Sequence, residues 1–294
     1  MDGSVTVGVE GQEEGRAAVE WAAQEALSSG RLLRLVHAWG RMSPRDPMLA
    51  DSTAQQRQAD QVLEEAAADL AVRYPGLTVS TEAVAEGPVQ ALLAASETAG
   101  LLVLGTRGLG AFTGFLLGSV SLPVLARARC PVTMVRAGDT DRPRGREVVL
   151  GLKRTEHPDE EVLGYAFAAA RTRGKPLRVV YAWTPPVPSY ASIPTAYVVL
   201  PDNAPEATDQ MARLLADALT DTLRPWRERY PEVEVIEEPV PGSAAQVLVE
   251  AAVDADLVVV GRGGRAAGVG PLVGPVVHAL LHHSPCPVVA VPHP

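Results

Sequence analysis

Aromatic residues are scarce in this chain, at 4% of positions, although 47% of it is hydrophobic. A core built with so few rings must consist mainly of Ala, Val and Leu, side chains that suit helices packed on a buried parallel sheet. Cysteine is equally rare. Cys130 and Cys286 each sit in a Cys-Pro-Val triplet, which gives neither a disulfide framework nor metal-ligand spacing. Positive charge is in deficit, with a formal net charge of -9. Without a basic stripe to neutralise phosphates, a general nucleic-acid binder is excluded. No apolar run approaches the roughly 20 residues that span a bilayer, and Met1 to Ser4 lack the basic and apolar regions of a signal peptide. These absences point to a cytoplasmic, reduced protein without a membrane span. At 294 residues the chain has room for two ordinary domains.

The chain repeats itself. Residues 32–39 read LLRLVHAW and residues 176–183 read PLRVVYAW. Arg73-Tyr74-Pro75 returns as Arg229-Tyr230-Pro231, Val103-Leu104-Gly105 as Val259-Val260-Gly261, and Cys130-Pro131-Val132 as Cys286-Pro287-Val288. The separation is 144 residues from Arg34 to Arg178 but 156 from Arg73 to Arg229, so the second copy carries 12 extra residues. So many matches in order establish a duplication. Residues 1–137 and 147–294 form the two domains, joined by a Gly-, Pro- and charge-rich linker, Gly138 to Arg146. The extra residues fall in the Pro-rich stretch Thr184 to Pro205. That stretch reads as a tolerated surface insertion, with a lid or a partner-binding segment (Tyr190, Ile193, Tyr197) as alternatives.

Each copy has the rhythm of an α/β domain. In the first, Val5–Val9 is a short apolar strand followed by a helix over residues 13–29 that Gly30 closes. A strand over 31–38, a long helix over 53–73 stopped by Pro75-Gly76, and a strand over 77–84 come next. A helix then opens at Pro88, a strand covers 101–104, a helix begins near Gly118, and a last strand covers 131–135. Such alternation implies parallel pairing, right-handed crossovers and a doubly wound sheet. Ligands of these sheets bind outside the carboxyl ends of strands where the winding reverses.

After its fourth strand the first copy reads Gly105-Thr-Arg-Gly108, then nine residues, then Gly118-Ser119-Val120-Ser121. Glycines let the backbone turn sharply and approach a ligand with no Cβ in the way. A helix starting at Gly118-Ser119 points free N–H groups at whatever sits there, and the hydroxyls of Ser119 and Ser121 add donors. The pattern suits an anion.

The spacing Gly-x2-Gly-x9-Gly-Ser, the stretch VLGTRGLGAFTGFLLGSVS, the final CPV strand, the opening VGVEG and the strand LVHAW resemble the ATP-binding universal stress proteins over essentially the whole chain, twice. The resemblance implies two tandem five-stranded parallel sheets in the order 3-2-1-4-5, packed as a pseudo-dimer through residues 132–136 and 288–292. It implies ATP, with or without Mg²⁺, with its phosphates at Gly105, Gly108, Gly118, Ser119 and Ser121 and its adenine near Ala38. Glu10 stands where the family usually carries an aspartate in contact with the nucleoside. The second copy departs from the pattern. Its loop, Gly261-Arg-Gly-Gly264, keeps the spacing but ends in Gly274-Pro275, and proline offers neither hydroxyl nor N–H. Lys153 puts a cation at the position of Glu10. The second copy is expected to bind ATP weakly or not at all.

Other chemistries find little support. There is no Gly-x-x-x-x-Gly-Lys-Ser/Thr motif and no Gly-x-Gly-x-x-Gly after a first strand. His278, His282 and His283 lack a further ligand at recognisable spacing, so they read as surface or packing residues. His37, which becomes Tyr181 in the second copy, reads as packing. Ser119 as a nucleophile lacks an evident base. The resemblance therefore implies a stress-response regulator that binds ATP with little or no catalysis and acts on an unknown protein partner. A slow ATPase or adenine-nucleotide-dependent transferase, and a ligand-free interaction module, stay as alternatives, as does a further homodimer.

Overall fold

The computed structural model describes residues 3–10, 13–40, 52–106, 118–139, 145–184, 204–263 and 273–293. The first half contains β1 (Ser4–Gly8), α1 (Glu13–Ser29), β2 (Leu33–Ala38), α2 (Ser52–Arg73), β3 (Val79–Val84), α3 (Pro88–Ser96), β4 (Ala99–Thr106), α4 (Ser121–Arg127) and β5 (Val132–Arg136). The second half repeats the order with β6 (Glu147–Gly151), α5 (Glu160–Arg173), β7 (Leu177–Trp183), α6 (Ala204–Arg229) and β8 (Val235–Pro241). It ends with α7 (Ala244–Ala251), β9 (Ala255–Gly263), α8 (Pro275–His283) and β10 (Val288–His293). Of the Pro-rich stretch Thr184 to Pro205, residues 185–203 lie outside the described residues, and Ala204 and Pro205 open α6.

Local chemistry sets the boundaries. Pro88 and Pro275 open their helices at a first-turn position, where the missing N–H costs nothing. Gly30 and Gly174 close α1 and α5 at φ 64° and 60°, a left-handed conformation that suits glycine. The helix expected near Gly118 starts at Ser121 instead. In the second half α8 starts at Pro275, the counterpart of Ser119, so it winds two residues earlier. Proline pre-sets the helical φ there and serine does not.

All strands of the described residues join one ten-stranded sheet in the order β3-β2-β1-β4-β5-β10-β9-β6-β7-β8. Within each half every pairing is parallel and follows the expected 3-2-1-4-5 order. The halves meet antiparallel, with Val288 opposite Met134, Val289 opposite Thr133 and Ala290 opposite Val132. This is the expected pseudo-dimer contact, and it covers two edges that would otherwise stand open.

The buried residues divide by sheet face and not by half. One cluster holds Leu101, Val103, Val135, Leu257, Val259, Val289 and Val291 beneath α1, α2, α5 and α6. The other holds Leu102, Leu104, Val132, Met134, Val258, Val260, Val288 and Ala290 beneath α3, α4, α7 and α8. Strand alternation sends successive side chains to opposite faces. Each core therefore runs unbroken across the junction. Arginines reinforce that junction. Arg262 donates to Ala126 O at 2.9 Å and Ala128 O at 2.5 Å, and Arg136 donates to Leu281 O at 2.6 Å. Each half thus supplies donors to carbonyls at the end of the other half's last helix, groups that lack partners within the helix.

Candidate functional site

The winding of the first half reverses between β1 and β4, and a cavity of about 150 Å³ lies at their carboxyl ends. Its lining includes Glu10, Gly105, Gly118, Ser119 and Ser121. Five of the seven residues singled out from the sequence are thus brought together. Ala38 ends β2, paired with Val84 and outside the lining. Gly108 lies outside the described residues.

Each of the five reaches the cavity for a local reason. Gly105 is the penultimate residue of β4, and Gly118 to Val120 lead into α4. Ser121 ties the two segments together by donating its hydroxyl to Gly105 O at 3.2 Å. Its proton is therefore committed to the protein in this arrangement. Ser119 is exposed, and its hydroxyl has no hydrogen-bond partner among the described residues. Glu10 is exposed two residues beyond β1 and makes no ion pair among the described residues.

Sequence reasoning missed Gly8, Gly15 and Leu92 in the same lining. A Cβ at Gly15 would meet Glu10 O at 2.5 Å, so only glycine lets α1 begin this close to the β1 turn. A glycine in the first turn of a predicted helix was the available signal. Leu92 lies on α3, and its Cδ2 would stand 3.2 Å from a Cβ at Gly8. Its apolar periodicity concealed that placement.

His37, expected to pack, is half-buried on β2. Its Nδ1 lies 2.8 Å from Val9 O, and a carbonyl only accepts, so Nδ1 carries the proton. His282 is buried, with its ring 4.4 Å from that of His278. Burial and then the neighbouring His278 and His283 hold its pKa below the ordinary imidazole value. No group of three or more His, Cys, Asp or Glu able to hold a metal occurs among the described residues.

The corresponding place in the second half is built differently. Leu248 Cδ1 stands 2.6 Å from a Cβ position at Gly151, closer than Leu92 to Gly8. Lys153 is exposed where Glu10 stands in the first half. Gly15 has Asp159 as its counterpart, 144 residues on, and Ala137 has His293, 156 residues on. Asp159 and His293 pair at 3.0 Å, and the His293 ring lies 3.0 Å from a Cβ position at Gly261. Two small residues beside the first strand-end are thus replaced in the second by a linked acid and imidazole.

Comparison with known proteins agrees with this architecture. The family model described as "Universal stress protein family" matches residues 2–136 and again 146–292. The chain is 34% identical to universal stress protein Rv2005c of Mycobacterium tuberculosis, over 97% of this chain and 95% of that one. It is 30% identical to universal stress protein Rv2623 of the same organism, with 97% and 95% covered. A crystal structure of a universal stress protein from Archaeoglobus fulgidus superposes with a TM-score of 0.69, at 16% identity and 99% coverage of both chains. With two family domains in tandem and relatives matched over 95% of their length, the chain belongs to the universal stress protein family.

Proposed function

We propose that the first half binds an adenine nucleotide, ATP with or without Mg²⁺, and that occupancy biases contact with a protein partner during stress, with little or no turnover. One observation carries this reading: Glu10, Gly105, Gly118, Ser119 and Ser121 converge on one cavity where the winding reverses. The cavity's volume of about 150 Å³ suits a phosphoryl group rather than a whole nucleotide. Gly105 and Gly118 supply close backbone approach, and Ser119 supplies the hydroxyl still free to donate. Glu10, and Ala38 at the end of β2, then mark the nucleoside end, and Gly108 belongs to the same loop.

In this reading the functional units are residues 1–137 and 147–294, and the second is silent toward ATP. Pro275 removes a hydroxyl and an N–H, Lys153 reverses a charge, and the Asp159–His293 pair occupies ground that Gly15 and Ala137 leave clear. Thermal unfolding with and without ATP tests the proposal. A ligand that binds only the folded state raises its stability by mass action. Millimolar ATP should raise Tm of the natural chain and leave a Gly118→Val, Ser119→Val double variant unmoved. An unmoved Tm in the natural chain would overturn the reading.

A further inference from the structure

Glu20, on α1, is the hub of a polar cluster in the first half. It accepts hydrogen bonds from Arg73 and from the Tyr74 hydroxyl, and from Gln24 Nε2 at 3.0 Å. Asp69 holds the other side of the Arg73 guanidinium at 2.5 Å. Every polar group of the cluster therefore has a protein partner.

The repeat preserves half of this cluster and deletes the other half. Arg229 and Tyr230 stand at the positions of Arg73 and Tyr74, 156 residues on. At the same offset Asp69 becomes Pro225, and at the offset of 144 Glu20 becomes Gly164 and Gln24 becomes Ala168. Among the described residues Arg229 makes no ion pair and the Tyr230 hydroxyl makes no hydrogen bond. The guanidinium of Arg229 lies over the Trp226 and Tyr230 rings, 5.7 Å from each centroid.

Beside these positions lies a cavity of about 650 Å³ whose lining includes Gly164, Ala168, Arg229 and Tyr230, and also the exposed acid Glu161. That volume lies within the roughly 300–1,000 Å³ of small-molecule pockets. Its opposite wall comes from the first half and includes Arg129, which is 78% exposed and reaches Glu97 only at 3.8 Å. The cavity shares no residue with the strand-end site. It lies at the junction of the two halves, a common place for ligand sites. Trp226 Cη2 stands 3.2 Å from a Cβ position at Gly164, so that wall is closed by an aromatic edge. The site offers the Arg229 guanidinium, a phenol and an apolar floor, with the Arg129 guanidinium across the gap and one carboxylate, Glu161, in the lining.

We propose that this cavity binds a small organic carboxylate, whose carboxylate takes the place of Glu20's between Arg229 and Tyr230 while its apolar body lies over Gly164 and Ala168. A carboxylate is favoured over a bulkier anion because the preserved donors, a guanidinium and a phenol, are those that meet a carboxylate in the first half.

Benzoate, titrated into the full chain and followed by saturation-transfer NMR and calorimetry, is the probe. Millimolar benzoate should bind the natural chain, and Arg229→Gln should weaken it about tenfold or more, as loss of a charge-assisted hydrogen bond implies. Ala168→Glu, which supplies an internal carboxylate, should abolish binding while circular dichroism and Tm report an intact fold. The proposal is overturned by a natural chain that ignores millimolar benzoate, or by a folded Arg229→Gln variant that binds it equally well. Inorganic phosphate displacing benzoate at equal concentration would also sink it, by showing a site for any anion.

Discussion

Glu25 of the first half and Arg173 of the second meet at 2.6 Å across the boundary between the repeats, their side chains 4% and 10% exposed. Arg31 reaches Glu25 at 3.4 Å, and Asp256 takes both Arg173 at 3.2 Å and Lys175 at 2.7 Å. Removing one partner of a buried pair leaves a charge in a poor solvent, which costs more than the pair itself contributes. Arg173→Met should therefore destabilise the chain by about 3 kcal/mol in urea unfolding, with Glu25→Gln, Arg173→Met recovering part of the loss. A double-variant loss equal to the sum of the Glu25→Gln and Arg173→Met losses would show that the pair is not coupled.

Because both cores cross the β5–β10 junction, the two halves should not melt separately. Differential scanning calorimetry should give one transition whose calorimetric and van't Hoff enthalpies agree. Two resolved transitions would mean that the shared cores count for less than their continuity implies.

The Glu20 cluster gives an acid limb. Burial alone would raise its pKa, but hydrogen bonds from Tyr74, Arg73 and Gln24 outweigh it and hold the carboxyl below its ordinary value. A carboxyl held low in the folded state contributes stability above its unfolded pKa and loses it as pH falls through the folded value. The natural chain should lose stability steeply below about pH 4.5, and Glu20→Gln should flatten that loss. Urea midpoints between pH 3 and 7 measure both. Equal slopes would contradict the prediction.

Burial pushes the Cys130 thiol up to about 11, and Cys286 is 5% exposed. Thiolate is the reactive form, so neither residue should modify readily in the native protein. A chromogenic disulfide reagent at pH 8 should report almost no thiol until urea is added, and then two per chain. Rapid native labelling at Cys130 would contradict the burial.

Much of this was legible in the chain itself. The apolar runs, the closing glycines and the first-turn prolines place the strands and most helix ends, because each signal acts within a few residues. The family resemblance, carried by both copies, implied the pairing of 132–136 with 288–292, and the sheet pairs Val132–Met134 with Val288–Ala290. What stayed hidden depends on contacts between distant segments. Nothing near Gly15 announces that Glu10 O will lie 2.5 Å from its would-be Cβ. The division of the core by sheet face follows from strand order, not from either half alone. Ser121 looked like a phosphate donor, yet its hydroxyl is turned to Gly105 O, a carbonyl 16 residues earlier. The unpaired donors Arg229 and Tyr230 show only when the repeats are aligned, since Glu20 and Asp69 become Gly164 and Pro225.

The central claim is a working nucleotide site in the first half and a silent one in the second. Calorimetric titration of ATP with Mg²⁺ into the natural chain and the Gly118→Val, Ser119→Val variant tests it most directly. The account predicts one site per chain, lost in the variant. Two sites, or one site that survives the double substitution, would contradict it.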